Sequence, residues 1–213
     1  MKRIALGIKT VHRAEKPSVA AGRLLAATIT LLREFTPDEI TTAMVLTKAN
    51  VARNTLYLHY ESHTALIEAA LLSVFLDGAK THADLLTKSV NESQNKRDFI
   101  EQAIKLVKIS QDRNFENFRI ARCRLIAHAD KNARFSKLLG IEQTKLNERF
   151  AKSFETLQKK GWMSRKVSPE AAALFVQAMT FGRVIDDVSS KKINEKSWDE
   201  TFIFIMKKTI LDD

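Results

Sequence analysis

Only six Gly and three Pro occur among 213 residues, and this scarcity of helix breakers constrains the chain more than any other feature. Glycine interrupts helices through its backbone entropy, and proline through its missing N–H and its clash with the preceding turn. A chain so poor in both is expected to be built from long helices. Its length is enough to bury a core without disulfides or a structural metal. The single Cys123 cannot close an internal disulfide, which fits a reducing compartment. A hydrophobic share of 45% and a charged share of 28% are those of a soluble globular protein rather than a disordered one.

Export and membrane insertion find no support. Met1-Lys2-Arg3 is basic like the start of a signal peptide, but the apolar run from Ile4 to Ile8 is short and is ended by Lys9. The longest uncharged run, Ala171 to Gly182, falls well below the roughly 18 apolar residues that a spanning helix needs. No membrane partner and a cytoplasmic location are therefore expected.

The formal net charge of +10 points to an anionic partner, and its distribution says more than its total. Residues 1–16 carry five basic side chains, Lys2, Arg3 and Lys9 among them, against Glu15 alone. Residues 17–66 carry four of each sign, so a basic arm precedes a charge-balanced segment. Between 91 and 166, 18 basic residues face 9 acidic ones, an excess that fits a ligand, DNA or solubility equally well.

Cap signals divide the chain. Ser18 is a helix N-cap, with Leu25, Thr28, Ile29 and Leu32 expected on one face, and Pro37 ends that helix near Phe35. Thr41 caps a short helix from Thr42 to Lys48, with Val45 inward and Asn50 left-handed at its end. A third short helix is expected at about 53–58, and Ser62 caps a longer fourth one. Three compact helices in fewer than fifty residues, the second and third joined by a tight turn, form a helix-turn-helix pattern. Longer helices are expected near 96–112, 114–129, 132–160, 168–189 and 198–211. Ser168-Pro169 starts one of them and Gly161 stops another. The all-apolar run Phe202 to Met206 is expected to be helix buried all round.

Within this frame, Leu24-Leu25-Ala26-Ala27, Thr41, Val45-Leu46, Ala49-Asn50-Val51-Ala52, Thr55-Leu56-Tyr57-Leu58-His59-Tyr60 and Ser62-His63-Thr64-Ala65-Leu66 resemble the DNA-binding region of TetR-type bacterial transcription regulators. The motif covers about a quarter of the chain, and Leu-Tyr-x-His-aromatic is its most specific part. Gly161-Trp162 before Ser168-Pro169-Glu170-Ala171 is similar to the family's regulatory domain only in helix order and length. Three positions depart from the pattern. Asn50 stands for the usual turn Gly, Ala52 for a capping Ser, and His63 for a Lys that in the family approaches phosphate.

The resemblance implies an all-α chain: a basic arm at 1–16, a three-helix helix-turn-helix DNA-binding domain at 17–66, and a larger helical ligand-binding and dimerisation domain at 67–213. Arg53, Asn54 and Thr55 are then placed to meet base edges in the major groove. Thr41, Lys48, Tyr57, His59 and His63 are the residues for the phosphate backbone, with Lys2, Arg3 and Lys9 in the arm. Leu56 and Val51 belong to the core. The implied partners are an operator in double-stranded DNA, a second copy of the chain and a small-molecule effector. No cofactor is implied. Phe115, Phe118, Arg119, Arg122, Phe150, Phe154 and Phe175 are candidates to line an effector cavity, although such aromatics more often fill a core. Leu174, Phe175, Ala178, Ile185, Phe202 and Met206 exceed the apolar surface that a lone chain easily hides, and are candidates for a dimer interface.

Two other classes compete. A TetR-like chain can organise DNA or bind protein without any effector. A helical metalloenzyme can be imagined from His59 and His63, yet a zincin needs Glu directly after its first His, and the Ser62 cap breaks the helix between them. No metal site is expected. Cys123 and His128, five apart on one helix, point in different directions, and no Gly-rich phosphate loop or Ser-His-acid cluster occurs. No catalytic residue and no enzymatic activity are expected.

Overall fold

The computed structural model describes residues 18–112 and 115–211, and every element in them is helical. In chain order these are α1 (Val19–Leu31), α2 (Thr42–Ala49), α3 (Arg53–His59), α4 (His63–Glu92), α5 (Lys96–Gln111), α6 (Glu116–Asp130), α7 (Ala133–Lys159), α8 (Pro169–Gly182), α9 (Val184–Asp187) and α10 (Glu195–Met206), the last continuing into a π-type turn, Lys207–Leu211. Among the described residues, no helix is long and apolar enough to cross a membrane.

Local hydrogen bonds explain most boundaries. Ser18, Thr41, Ser62 and Ser168 each accept a backbone N–H from three residues on, satisfying a donor that the first turn leaves open. Asn50 closes α2 in the left-handed region at φ 51°, and the N–H groups of Asn50 and Val51 return to Thr47 and Leu46. Asn tolerates that conformation because its short polar side chain bonds locally. Gly161 closes α7 the same way at φ 72°, with Trp162 N–H on Leu157 O at 2.9 Å. The start of α3 differs: Ala52 offers no side-chain cap.

The chain forms two compact units. The first comprises the residues up to Leu76 and Cys123–Leu139. In it α1 packs on α2 and α3 around the buried Leu24, Leu31, Val45, Leu56 and Tyr60. The inward stripe of α1 is Ala21, Leu24, Ala27, Thr28 and Leu31, not the expected Leu25, Thr28, Ile29 and Leu32, of which only Thr28 is fully buried. The helix is apolar on most of its circumference, so periodicity alone does not set its phase. Val51 is half-buried rather than core. The buried carboxylate of Glu68 accepts hydrogen bonds from Asn132 Nδ2 at 2.6 Å and Arg134 Nη2 at 2.7 Å.

The second unit comprises Asp77–Arg122 and Gly140–Asp213. Phe99, Phe150, Phe154, Leu157 and Phe202 are buried in it, and Phe99 stacks on Trp162 at 6.1 Å. Its buried ion pair is Arg119 with Asp187, both guanidinium edge nitrogens donating to one carboxylate. The helix expected over 168–189 is broken at Arg183 into α8 and α9, and Asp187 turns inward to this pair. Nor is Phe202 to Met206 buried all round: Phe202 and Met206 are inside, while Phe204 is 62% exposed. Cys123 is half-buried.

Candidate functional site

In the first unit, the residues expected to meet DNA gather on α2, α3 and the start of α4. Leu56 is fully buried and fixes α3 from beneath. Arg53 and Asn54 are exposed and Thr55 half-buried on the first turn of α3, while Thr41 and Lys48 are exposed at the two ends of α2. Tyr57 and Leu58 are 40% and 64% exposed. The other end of α3 is tied to the start of α1: the Ser18 hydroxyl, already accepting the Ala21 N–H, meets His59 Nε2 at 2.9 Å. The Tyr60 hydroxyl donates to Ala21 O at 3.3 Å, and burial raises its pKa. These bonds hold a helix of only seven residues, which nothing in its own length would stabilise. Lys2, Arg3 and Lys9 lie outside the described residues.

His59 and His63 stand on different helices, with the Ser62 cap between them. His63 does not simply face solvent or phosphate as expected. It is half-buried, and its Nε2 is enclosed without a hydrogen-bond partner among the described residues. Burial lowers its pKa below the ordinary 6.5, because a low-dielectric setting penalises the imidazolium. A depressed folded value means that the stability contribution is complete above about 6.5 and declines as pH falls through the folded pKa. Thermal melts at pH 7.5 and 5.5 are expected to show a larger loss on acidification for the wild type than for His63→Gln. Equal losses in the two would remove His63 from the pH response.

The second unit contains a cavity, partly open at its mouth, whose volume open to the centre of a water molecule is about 110 Å³. Of the seven candidate lining residues, Phe118, Arg122, Phe150 and Phe154 are on its wall. Phe115 stands behind it, edge-on to His82 at 5.2 Å. Arg119 is consumed by the ion pair with Asp187, and Phe175 faces outward, 37% exposed. Sequence reasoning missed His82, Phe99, Gln177 and the wall positions of Phe202 and Met206. His82 had one available signal, its place on the α4 stripe with Ala79, Ala83 and Leu86. A Cβ on Gly78 would sit 2.1 Å from Phe118 Cε2, so the glycine gives the Phe118 ring its room against α4. Nothing local to Gly78 announces that contact.

Of the proposed interface residues, Leu174, Phe175, Ala178 and Ile185 are exposed, whereas Phe202 and Met206 are buried inside the unit. Val188, 72% exposed, and Phe204 add to the exposed apolar side chains of α8–α10.

No family model and no curated protein matches the chain. Among solved structures it is similar to GusR of Salmonella enterica, at 19% identity and a TM-score of 0.67 over 94% of this chain and 99% of that one. It is also similar to a bacterial regulatory protein of the TetR family from Rhodococcus RHA1, at 15% and 0.59 over 91% and 97%. A Saccharomonospora viridis protein in complex with choline matches at 13% and 0.69 over 91% and 98%. The fold is that of TetR-type regulators: all-α, with an N-terminal helix-turn-helix domain and a larger C-terminal helical domain.

Proposed function

We propose that this chain is a sequence-specific DNA-binding transcriptional regulator, acting as a repressor in the cytoplasm, whose DNA affinity is lowered by a small molecule bound in the second unit. The observation that carries it is α3, a seven-residue helix anchored by Leu56 and Tyr60 that leaves Arg53 and Asn54 in solvent on its first turn. Helices of this kind present their N-terminal residues to base edges, while neighbouring polar groups such as Lys48 and Tyr57 engage phosphates. The basic arm adds an attraction that does not depend on sequence.

A homodimer accounts for the exposed Leu174, Phe175, Ile185, Val188 and Phe204, because apolar side chains on adjacent segments gain from mutual burial. Two recognition helices then meet half-sites about one turn of DNA apart. A ligand that favours another spacing lowers affinity by population shift. The choline complex of the Saccharomonospora viridis protein supports a ligand in this fold.

Fluorescence anisotropy on DNA from upstream of the chain's own gene, against scrambled DNA at two salt concentrations, tests the reading. The wild type is expected to separate the two DNAs. Arg53→Ala is expected to lose about 1–3 kcal/mol on the specific site and little on the scrambled one. Equal losses on both would take base reading away from Arg53.

A further inference from the structure

We infer that Leu58 is a specificity-determining residue of the proposed regulator, packing against the C5-methyl group of a thymine in each DNA half-site. This rests on the regulator reading and names what one position of α3 reads. An apolar side chain is unfavourably placed in water, and Leu58 is 64% exposed, more than any other large apolar side chain of α2 or α3. Successive residues of a helix are about 100° apart, so Asn54 and Leu58 fall about 20° to either side of the direction opposite the buried Leu56. Arg53 and Tyr57 flank them on one side and are exposed, while Thr55 and His59 on the other side are half-buried. The outermost pair of α3 is therefore an amide and a leucine, one turn apart.

Charge identifies the occupant of this face. Between Glu39 and Glu61 the chain has no acidic residue, whereas Lys48 and Arg53 are basic and exposed. Such a surface suits a polyanion rather than an apolar protein partner. In the major groove of a duplex the base edges offer donors and acceptors in differing patterns and one apolar group, the thymine methyl. A leucine held in that groove has no other base-edge group to match. Over any other base it displaces water from donors and acceptors that it cannot satisfy, so the same side chain favours thymine and penalises its competitors. Asn54 carries an amide that can bond adenine N6 and N7 at once. Four residues of helix rise about 6 Å and base pairs stack about 3.4 Å apart. The thymine met by Leu58 therefore lies within about two base pairs of the base met by Asn54.

The test begins with selection of binding sites by the full chain from random-sequence duplexes. Each thymine of the selected site is then replaced by deoxyuridine, which pairs as thymine does and lacks only the methyl. At one thymine per half-site, the replacement is expected to weaken wild-type binding about fourfold. The same replacement is expected to leave Leu58→Ala, already weaker on the unmodified site, unaffected. Leu58 is exposed and alanine is a good helix former, so α3 keeps its shape in this variant, and its affinity for scrambled DNA is expected to match the wild type. The inference is overturned, with the regulator left standing, by a selected site without thymine or by wild-type binding indifferent to every deoxyuridine. A set of methyl effects that Leu58→Ala leaves unchanged, or an equal loss by that variant on selected and scrambled DNA, overturns it as well. Selection that enriches no sequence refutes the regulator reading, and the assignment of Leu58 falls with it.

Discussion

Asp187→Ala is expected to destabilise the second unit by about 3–5 kcal/mol, the cost of leaving a buried charge without its partner. The side chain of Arg119 is 1% exposed and that of Asp187 3%. Without the carboxylate, the guanidinium keeps its hydrogen bond to the Asp112 carbonyl, at 3.3 Å, but stays buried with its charge uncompensated. The attraction between the two groups is not the source of this loss, because an apolar pair of similar volume often does as well as a buried ion pair. The double variant Arg119→Met/Asp187→Leu is therefore expected to be far less damaged than the single one. Urea unfolding followed by Trp162 and Trp198 fluorescence, both residues lying in this unit, checks both. A cost below about 1 kcal/mol for Asp187→Ala, typical of an exposed pair, would place the pair at the surface.

Arg134→Ala is expected to cost the first unit about 2–3 kcal/mol through Glu68, the range for hydrogen bonds to charged groups. Glu68 has a side chain 4% exposed, and Arg134 and Asn132 supply the hydrogen bonds on its carboxylate. The loss stays below that for Asp187 because Arg134 is itself half in water, which screens the pair. Its pKa is raised above the ordinary value, first by the hydrogen bond to Glu68 and only then by Glu61. Glu61→Ala, on the exposed arm of the same network, is expected to cost almost nothing. Glu68→Gln/Arg134→Ala is expected to recover much of the stability, since an amide can lie against Asn132 without a buried charge. Both Trp residues belong to the other unit, so hydrogen exchange in α1–α3 and the first turns of α4 is the appropriate readout. Unchanged protection in Arg134→Ala would separate Glu68 from the stability of this unit.

Several elements are legible in the sequence because their causes are local. Ser18, Thr41, Ser62 and Ser168 cap helices through hydrogen bonds three residues long, and Asn50 and Gly161 end them through their own backbone angles. The short helix α3 was legible as well, since Leu56 must be buried and Arg53 and Asn54, on the same helix, then point elsewhere. The cavity was only half legible. Phe118, Phe150 and Phe154 were conspicuous as aromatics, but an aromatic on a helix does not declare whether it faces a hole or a filled core.

By itself, then, the sequence determined an all-helical chain, many of its boundaries and a short helix presenting Arg53, because capping and breaking act within one or two turns. Tertiary structure decided what depends on partners far along the chain. Arg119 is neutralised by a residue 68 positions away, Gly78 makes room for Phe118, and Glu68 is reached by Asn132 and Arg134. It also decided that Phe202 and Met206 turn inward while Phe204 does not, and that Nε2 of His82 is enclosed without a hydrogen-bond partner among the described residues. A helix apolar on several sides carries no periodic signal for its inward face, and a polar atom is satisfied or stranded only by what packing brings beside it.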